Sequence, residues 1–156
     1  MRSLGEARGI LFLCSGNMVR SAFADLYARH LACPLPVGSA ATLFRNDHLM
    51  RETALALQAR SVSPTEIRAF RPRHVADIAP GLGEATLVLA MSRMHIRALA
   101  SWPALQGRSF LLSEVLGETS EIADPVLEGA DFERTFELLA RCVEELVAHL
   151  RRAHGS

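Results

Sequence analysis

The sequence predicts an α/β fold in which a single four-stranded parallel sheet carries helices on both of its faces. Short apolar runs, the pattern of buried strands, alternate along the chain with longer segments whose apolar residues recur at helical spacing. Such alternation favours parallel strands joined by helical crossovers. The first run leads directly into a polar loop at Cys14, at the sheet edge where α/β proteins bind ligands. The predicted strands cover residues 9–14, 37–41, 86–91 and 109–112.

The size and composition of the chain fit one domain. Its 156 residues are 49% hydrophobic, which is enough for a substantial core, and only residues 1–8 are expected to form a flexible arm. Seventeen arginines, with no lysine, balance seventeen acidic residues. The resulting net charge of zero favours neither nucleic acid nor an acidic membrane surface as a partner.

The cysteine content indicates a reducing, cytoplasmic location. Three cysteines without a Cys-x-x-Cys pair do not suit a disulfide framework. The apolar run before Cys14 is too short for a secretory leader, and Phe12 and Leu13 stand where a lipoprotein leader carries small residues. No stretch reaches the apolar length of a membrane span.

The loop after the first strand has the composition of an oxyanion site. Gly16 and Asn17 tolerate the positive φ angles of a tight loop, and Ser21 opens the following helix. Backbone N–H groups in such a loop, together with the helix N-terminus, form a nest for a tetrahedral anion. The Arg20 guanidinium is placed to bind two of its oxygens. The predicted phosphate-binding residues are Ser15, Gly16, Asn17, Met18, Val19, Arg20 and Ser21.

Cys14 is the predicted nucleophile of this site. The loop amides, the helix N-terminus and Arg20 are expected to stabilise its thiolate, and the Ser21 hydroxyl is placed to donate to the sulfur. A thiolate at the floor of an anion site suits attack on phosphorus without a metal. The alternative is a strand-end cysteine that only packs in the core.

Apolar periodicity and capping residues predict the longer helices. In the helix predicted over residues 48–60, Leu49, Leu55 and Leu57 are expected to face inward. Cys142 lies beside the apolar stripe of the last helix and is expected in the core. The predicted helices cover residues 20–31, 48–60, 92–100 and 131–152.

The segment from Cys14 to Ser21 resembles the active-site loop of the low-molecular-weight protein tyrosine phosphatase family. That family carries an Asp-Pro pair far downstream, and Asp124-Pro125 occupies the corresponding place. The resemblance covers nearly the whole chain and implies a sheet of order 2-1-3-4, no cofactor, and hydrolysis through a phosphocysteine. It also implies that Asp124 is the general acid and that Pro125 restricts the flap that aims it.

Two further residues, Ser39 and Phe44, belong to the expected site. Ser39, at the end of the second strand, matches a serine that in this family supports the loop asparagine, here Asn17; a hydrogen bond within its own strand is the alternative. Phe44 follows in a connection beside the site. It is expected to form a wall for an aromatic substrate, with packing as the alternative.

The chain departs from the family pattern at several positions. Val19 replaces a cysteine that often precedes the arginine, so no disulfide forms within the loop. Ser92 and His95 stand where the family has Asp and Asn, and His95 is expected at the surface. Val126 and Leu127 replace the aromatic residues of the entrance, so they are the remaining candidates for the substrate wall and a preference for phosphotyrosine does not follow.

The resulting hypothesis is a cysteine-dependent phosphatase that acts on a phosphorylated protein or a small aryl phosphate. An arsenate reductase is one alternative, although Cys33 and Cys142 do not match the close pair of resolving thiols that its chemistry needs. Protein arginine phosphatases typically have threonine where Met18 stands, and a phosphate-binding module without turnover is the non-enzymatic alternative. The absence of lysine excludes a Walker loop, and the six histidines show no metal-ligand spacing.

Overall fold

A computed structural model describes residues 3–155 of the chain. Its centre is a four-stranded sheet of order β2-β1-β3-β4 in which every neighbouring pair is parallel. This order confirms the predicted fold class. The strands are β1 (Gly9–Cys14), β2 (Val37–Ala41), β3 (Thr86–Ala90) and β4 (Ser109–Leu111).

The helices form two layers, one on each face of the sheet. Because strand side chains alternate between faces, Phe12 and Cys14 point into the larger core, whereas Leu11 and Leu13 point into the smaller one. The helices are α1 (Ser3–Glu6), α2 (Arg20–His30), α3 (Arg51–Gln58), α4 (Pro64–Ala69), α5 (Val75–Ile78), α6 (Arg93–Arg97), α7 (Pro103–Gln106) and α8 (Phe132–His154). Single 3-10 turns cover Ala79–Gly81 and Leu112–Leu116.

The long C-terminal helix α8 closes the larger core, as predicted. The Asp131 carboxylate caps it by accepting a hydrogen bond from the Arg134 amide at 2.9 Å. Cys142 is fully buried in the core, which confirms that prediction. The buried stripe of the helix consists of Phe136, Leu139, Val143, Leu146, Val147 and Leu150.

The expected flexible arm over residues 1–8 is wrong for the part that the structure describes. Ser3–Glu6 forms α1, in which Leu4 is only 4% exposed, and Ala7 is buried as well. The His154 ring at the end of α8 lies 3.0 Å from the Leu4 carbonyl oxygen. A core formed by α8, distant in sequence, therefore fixes this segment. Residues 1 and 2 lie outside the described part of the chain.

Two helices are shorter than predicted. The one expected over residues 48–60 extends from Arg51 to Gln58; Leu57 is buried in it, but Leu55 is 49% exposed, contrary to the prediction. The one expected to reach residue 100 ends at Arg97. Among residues 3–155, no helix has the length and apolar character that crossing a bilayer requires.

Candidate active site

The loop between β1 and α2 holds the sulfur of Cys14 between two hydrogen-bond partners. The backbone amide of Asn17 donates to Sγ at 3.3 Å, and the Ser21 Oγ lies 2.9 Å from the same sulfur. Asn17 adopts the left-handed conformation, with φ of 55°, which turns its amide back toward the sulfur. The predicted loop residues thus lie around the predicted nucleophile.

The direction of the hydrogen bond from Ser21 follows from Asn17. The Asn17 Oδ1 accepts from the backbone amide of Arg73 at 2.9 Å, so its Nδ2 is the group that faces Ser21, at 2.8 Å. Because the Nδ2 group of the Asn17 side chain can only donate, the Ser21 oxygen accepts a hydrogen bond from it. The Ser21 hydroxyl therefore directs its own proton to Sγ of Cys14. Two hydrogen-bond donors therefore point at the Cys14 sulfur.

The loop is supported from β2, but not in the way that the resemblance implied. The Ser39 hydroxyl donates to the Asp25 carboxylate at 2.6 Å and forms no hydrogen bond with Asn17. The connection passes through Arg73, whose amide binds Asn17 and whose Nε donates to the Ser39 carbonyl at 3.2 Å. Sequence reasoning missed Arg73, which lies near Arg68 and Arg71 in the sequence and far from the loop.

Asp124 reaches the site on a long loop, the flap, which extends from Gly117 to Ala130. Its Oδ2 lies 3.3 Å from the guanidinium of Arg20, which is 2% exposed and also donates to the Ile122 carbonyl at 2.7 Å. Its Oδ1 accepts from the Val126 and Leu127 amides at 2.8 and 3.3 Å. The carboxylate is therefore held toward Arg20, and the adjacent Pro125 is buried.

A cavity of about 180 Å³ joins the predicted nucleophile, arginine and acid. Apolar side chains form much of its wall, and three of them are substantially exposed at the entrance: Phe44 by 46%, Val126 by 49% and Leu127 by 62%. The three predicted wall residues thus lie together. The lining residues are Cys14, Ser15, Gly16, Met18, Val19, Arg20, Phe44, Asn46, Met50, Asp124, Val126 and Leu127.

His95 is the second residue whose placement sequence reasoning missed. It was expected at the surface, yet it is fully buried in α6, with Nε2 3.0 Å from the Ser15 hydroxyl and Nδ1 3.1 Å from the Ser92 amide. Burial, reinforced by the positive charge of Arg20 and opposed by Asp124, lowers the pKa of His95 to about 3. The available signal was its position just after β3, because residues there share a sheet edge with Cys14.

The arrangement is suited to transfer of a phosphoryl group. It combines a sulfur that accepts two hydrogen bonds, a buried guanidinium and a carboxylate within one cavity. Within residues 3–155, no cluster of three or more His, Cys, Asp or Glu side chains has the geometry of a metal site.

Comparison with known proteins agrees with this geometry. The chain is 28% identical over 144 residues to the low molecular weight protein-tyrosine-phosphatase PtpB of Staphylococcus haemolyticus, covering 88% of this chain and 96% of that protein. The PtpB protein of Staphylococcus epidermidis is also 28% identical, over 138 residues, with 88% and 95% of the two chains covered.

Solved structures share the fold at lower identity. The YwlE arginine phosphatase of Geobacillus stearothermophilus has a TM-score of 0.78 at 24% identity, over 93% of this chain and 94% of that one. The tyrosine phosphatase Wzb of Escherichia coli K30 has a TM-score of 0.76 at 20% identity, over 92% and 99%. The family model described as low molecular weight phosphotyrosine protein phosphatase matches residues 9–155. The chain therefore belongs to the low molecular weight phosphotyrosine protein phosphatase family.

Proposed function

We propose that the protein hydrolyses phosphomonoesters through a phosphocysteine intermediate on Cys14. The observation that carries the proposal is the pair of hydrogen bonds that Asn17 and Ser21 direct at the Cys14 sulfur, in a cavity that also holds Arg20 and Asp124. A thiol that merely packs in the core needs no such donors. Membership of a phosphatase family supports the same assignment.

In the first step the Cys14 thiolate attacks phosphorus. The S–P bond forms as the P–O bond to the leaving group breaks, and Asp124 transfers its proton to the departing oxygen. Arg20 and the loop amides stabilise the equatorial oxygens, which carry the negative charge in the transition state.

In the second step Asp124, now a carboxylate, takes a proton from a water molecule. The water oxygen attacks phosphorus, the P–S bond breaks, and inorganic phosphate and the Cys14 thiolate are released. The Ser21 hydroxyl, already directed at the sulfur, stabilises the thiolate as it leaves. Each cycle thus returns Cys14 and Asp124 to their initial protonation states, and only the phosphomonoester and one water molecule are consumed.

The proposed substrates are phosphorylated proteins and small aryl phosphates. The names of the PtpB relatives support phosphotyrosine. The entrance is apolar, since Phe44, Val126 and Leu127 line it, and it suits an uncharged leaving group. We also propose a reducing, cytoplasmic location, which the free thiols of Cys14, Cys33 and Cys142 support.

Thiol-coupled arsenate reduction fits the structure less well. Burial raises the pKa of the Cys33 thiol, and it raises the pKa of Cys142 to about 11. Both thiols therefore stay protonated near neutral pH, whereas the resolving thiol of an arsenate reductase has to react as a thiolate. Cys142 also lies on the buried face of α8 and does not line the cavity.

The test is hydrolysis of an aryl phosphate between about pH 4 and 8 in the presence of a chelator, with Cys14→Ser beside the wild type. Turnover that resists the chelator, is inhibited by vanadate and disappears in Cys14→Ser is expected, whereas the matched variant Cys33→Ser keeps full activity. Equal activity of the wild type and Cys14→Ser contradicts the proposal. Tight phosphate binding by an inactive wild type instead indicates a binding module, and arsenate-dependent thioredoxin oxidation indicates a reductase.

The role of Asp124 has its own test. Asp124→Asn is expected to lower turnover of an alkyl phosphate, whose leaving oxygen needs a proton, by roughly 100-fold or more, and that of an activated aryl phosphate much less. An equal effect on both substrates contradicts the assignment of Asp124 as the acid.

A further inference from the structure

We propose that the Ser15 hydroxyl is a donor to an oxygen of the bound phosphoryl group, and that His95 is the positioning residue that makes it one. The proposal rests on the phosphatase function above and adds two residues to it. It concerns the contact between the loop and α6.

The hydrogen bonds of His95 fix its tautomer. Nδ1 lies 3.1 Å from the backbone nitrogen of Ser92, a group that only donates, so Nδ1 is the acceptor. The Ser92 hydroxyl lies 3.2 Å from the same nitrogen and is a second donor to it. The single proton of the neutral ring is therefore on Nε2.

The ring is neutral because burial disfavours a positive charge on it. His95 is fully buried, and the nearby Arg20 guanidinium disfavours a further cation, so that the pKa of His95 falls to about 3. Asp124 opposes this effect only in part. Around neutral pH the ring thus presents one donor, Nε2–H, and one acceptor, Nδ1.

The tautomer determines what Ser15 can do. Its Oγ, 3.0 Å from Nε2, accepts a hydrogen bond from the ring N–H, so the hydroxyl proton is left for another partner. Within residues 3–155, His95 is the one group that hydrogen bonds to this hydroxyl. Ser15 lines the cavity with Cys14 and Arg20, where a phosphoryl oxygen is the acceptor that the reaction brings.

A hydroxyl placed in this way adds to the loop amides and Arg20. A hydrogen bond from a neutral donor to an anion is stronger than one between neutral groups, and here the donor is oriented before the substrate arrives. Without His95 the hydroxyl rotates freely and loses that orientation. The ring therefore acts on the phosphoryl group only through Ser15.

A double-mutant cycle tests this dependence. The kcat/KM for an aryl phosphate and the affinity for vanadate are measured for the wild type, Ser15→Ala, His95→Leu and the double variant. We expect Ser15→Ala to lower kcat/KM roughly 10- to 100-fold and His95→Leu to lower it by a similar factor. In the Ser15→Ala background, His95→Leu is expected to change kcat/KM less than about twofold.

Two matched variants separate positioning from a purely structural role. His95→Gln, whose amide extends an N–H donor toward Ser15, is expected to recover part of the lost kcat/KM. His30→Leu makes the same substitution as His95→Leu at an exposed helical position and is expected to leave activity unchanged. A further loss on adding His95→Leu to Ser15→Ala shows that the ring only supports α6, and it overturns the proposal.

A spectroscopic measurement covers the case in which a variant does not fold. Nitrogen NMR of the histidine rings in the wild type is expected to report His95 as the neutral Nε2–H tautomer between about pH 5 and 8. An Nδ1–H tautomer or a charged ring overturns the proposal.

The failure of each proposal gives a different result. An inactive wild type contradicts the phosphatase function, whereas a Ser15→Ala variant as active as the wild type contradicts the role of Ser15. If the wild type is inactive, unchanged vanadate affinity in Ser15→Ala overturns the proposal.

Discussion

The loop that holds Cys14 and the flap that holds Asp124 meet in one cavity but are built differently. In the loop, Ser15, Asn17, Arg20 and Ser21 are buried, and the side-chain contacts of Asn17 continue into β2 through Arg73. In the flap, most residues between 117 and 129 are exposed. Arg20 contacts Ile122 and Asp124 in the flap, and Arg93 forms an exposed pair with Glu121. The Ile122 amide also donates to the Met91 carbonyl at 2.8 Å.

The difference matches what each residue has to do. A nucleophile gains from a fixed environment, because its hydrogen bonds then require no rearrangement during the reaction. An acid on the opposite side of the substrate has to leave room for entry and exit, and loops with few buried contacts open at low free-energy cost. We therefore expect loop variants to lose both stability and activity, and flap variants to lose activity alone.

Loss of the Asn17 side chain is expected to have the largest effect. Asn17→Ala removes its bonds to Ser21 and Arg73 and strains a left-handed backbone, so kcat/KM should fall by roughly 100-fold and stability by a few kcal/mol. Asn17→Gly removes the same bonds without the backbone strain and should be about 1 kcal/mol more stable than Asn17→Ala, but equally inactive. Steady-state kinetics and urea unfolding measure both quantities. Full activity of Asn17→Gly would show that the side chain is dispensable.

A variant of the flap should affect activity alone. The Glu128 carboxylate accepts a hydrogen bond from the Asp124 amide at 3.0 Å, in an exposed part of the flap. Glu128→Ala is expected to lower kcat severalfold and to change the free energy of unfolding by less than about 0.5 kcal/mol. Glu137→Ala, an exposed glutamate of α8, is the control. A large loss of stability in Glu128→Ala would contradict the distinction between the two regions.

The helix α6 connects the loop and the flap, since its His95 contacts the loop and its Arg93 contacts the flap. His95 also makes the stability of the fold depend on pH. Its pKa is near 3 in the folded protein and near 6.5 when unfolded, so the unfolded chain binds the additional proton between those values. Stability should therefore decrease as pH falls from about 6.5 towards 3, by up to about 1.4 kcal/mol per pH unit from this group. Unfolding curves of the wild type and His95→Gln across this range measure the contribution. Parallel curves would show that His95 does not contribute.

The smallest effect is expected far from both regions. The Tyr27 hydroxyl donates to Glu144 at 2.6 Å, and burial together with this partner raises the pKa of Tyr27 to about 12. Tyr27→Phe is expected to cost about 1 kcal/mol of stability and to leave kcat/KM unchanged. Tyr27 is the only tyrosine of the chain, so ultraviolet titration of the wild type reports its ionisation directly. A change in kcat/KM would mean that the core between α2 and α8 affects the loop.

The parts of the site that could be predicted from sequence are those formed by neighbouring residues. The loop from Cys14 to Ser21 lies between a strand and a helix that have strong local signals, so its position followed from pattern alone. Asp124 was found only through resemblance, because an Asp-Pro pair by itself is an ordinary turn. The contacts of Arg73 with Asn17 and of His95 with Ser15 join residues far apart in sequence, and no local pattern encodes them.

Contacts between residues far apart in sequence also explain the errors in the predicted fold. Leu55 has the spacing of a core residue, but α3 presents that side to solvent, and burial is decided by what packs against a helix rather than by its own period. The short segment around Leu4 has little helical signal by itself, and its order comes from contact with α8.

One guanidinium serves both the flap and the expected phosphoryl group. Arg20 donates to the Ile122 carbonyl and contacts the Asp124 carboxylate, and it is also the side chain placed to bind the oxygens of the substrate. An anion that draws this cation toward Cys14 weakens its hold on the flap, and by thermodynamic reciprocity a flap that is pinned shut weakens the affinity for the anion. We therefore expect occupancy of the loop and the position of the flap to depend on each other through Arg20.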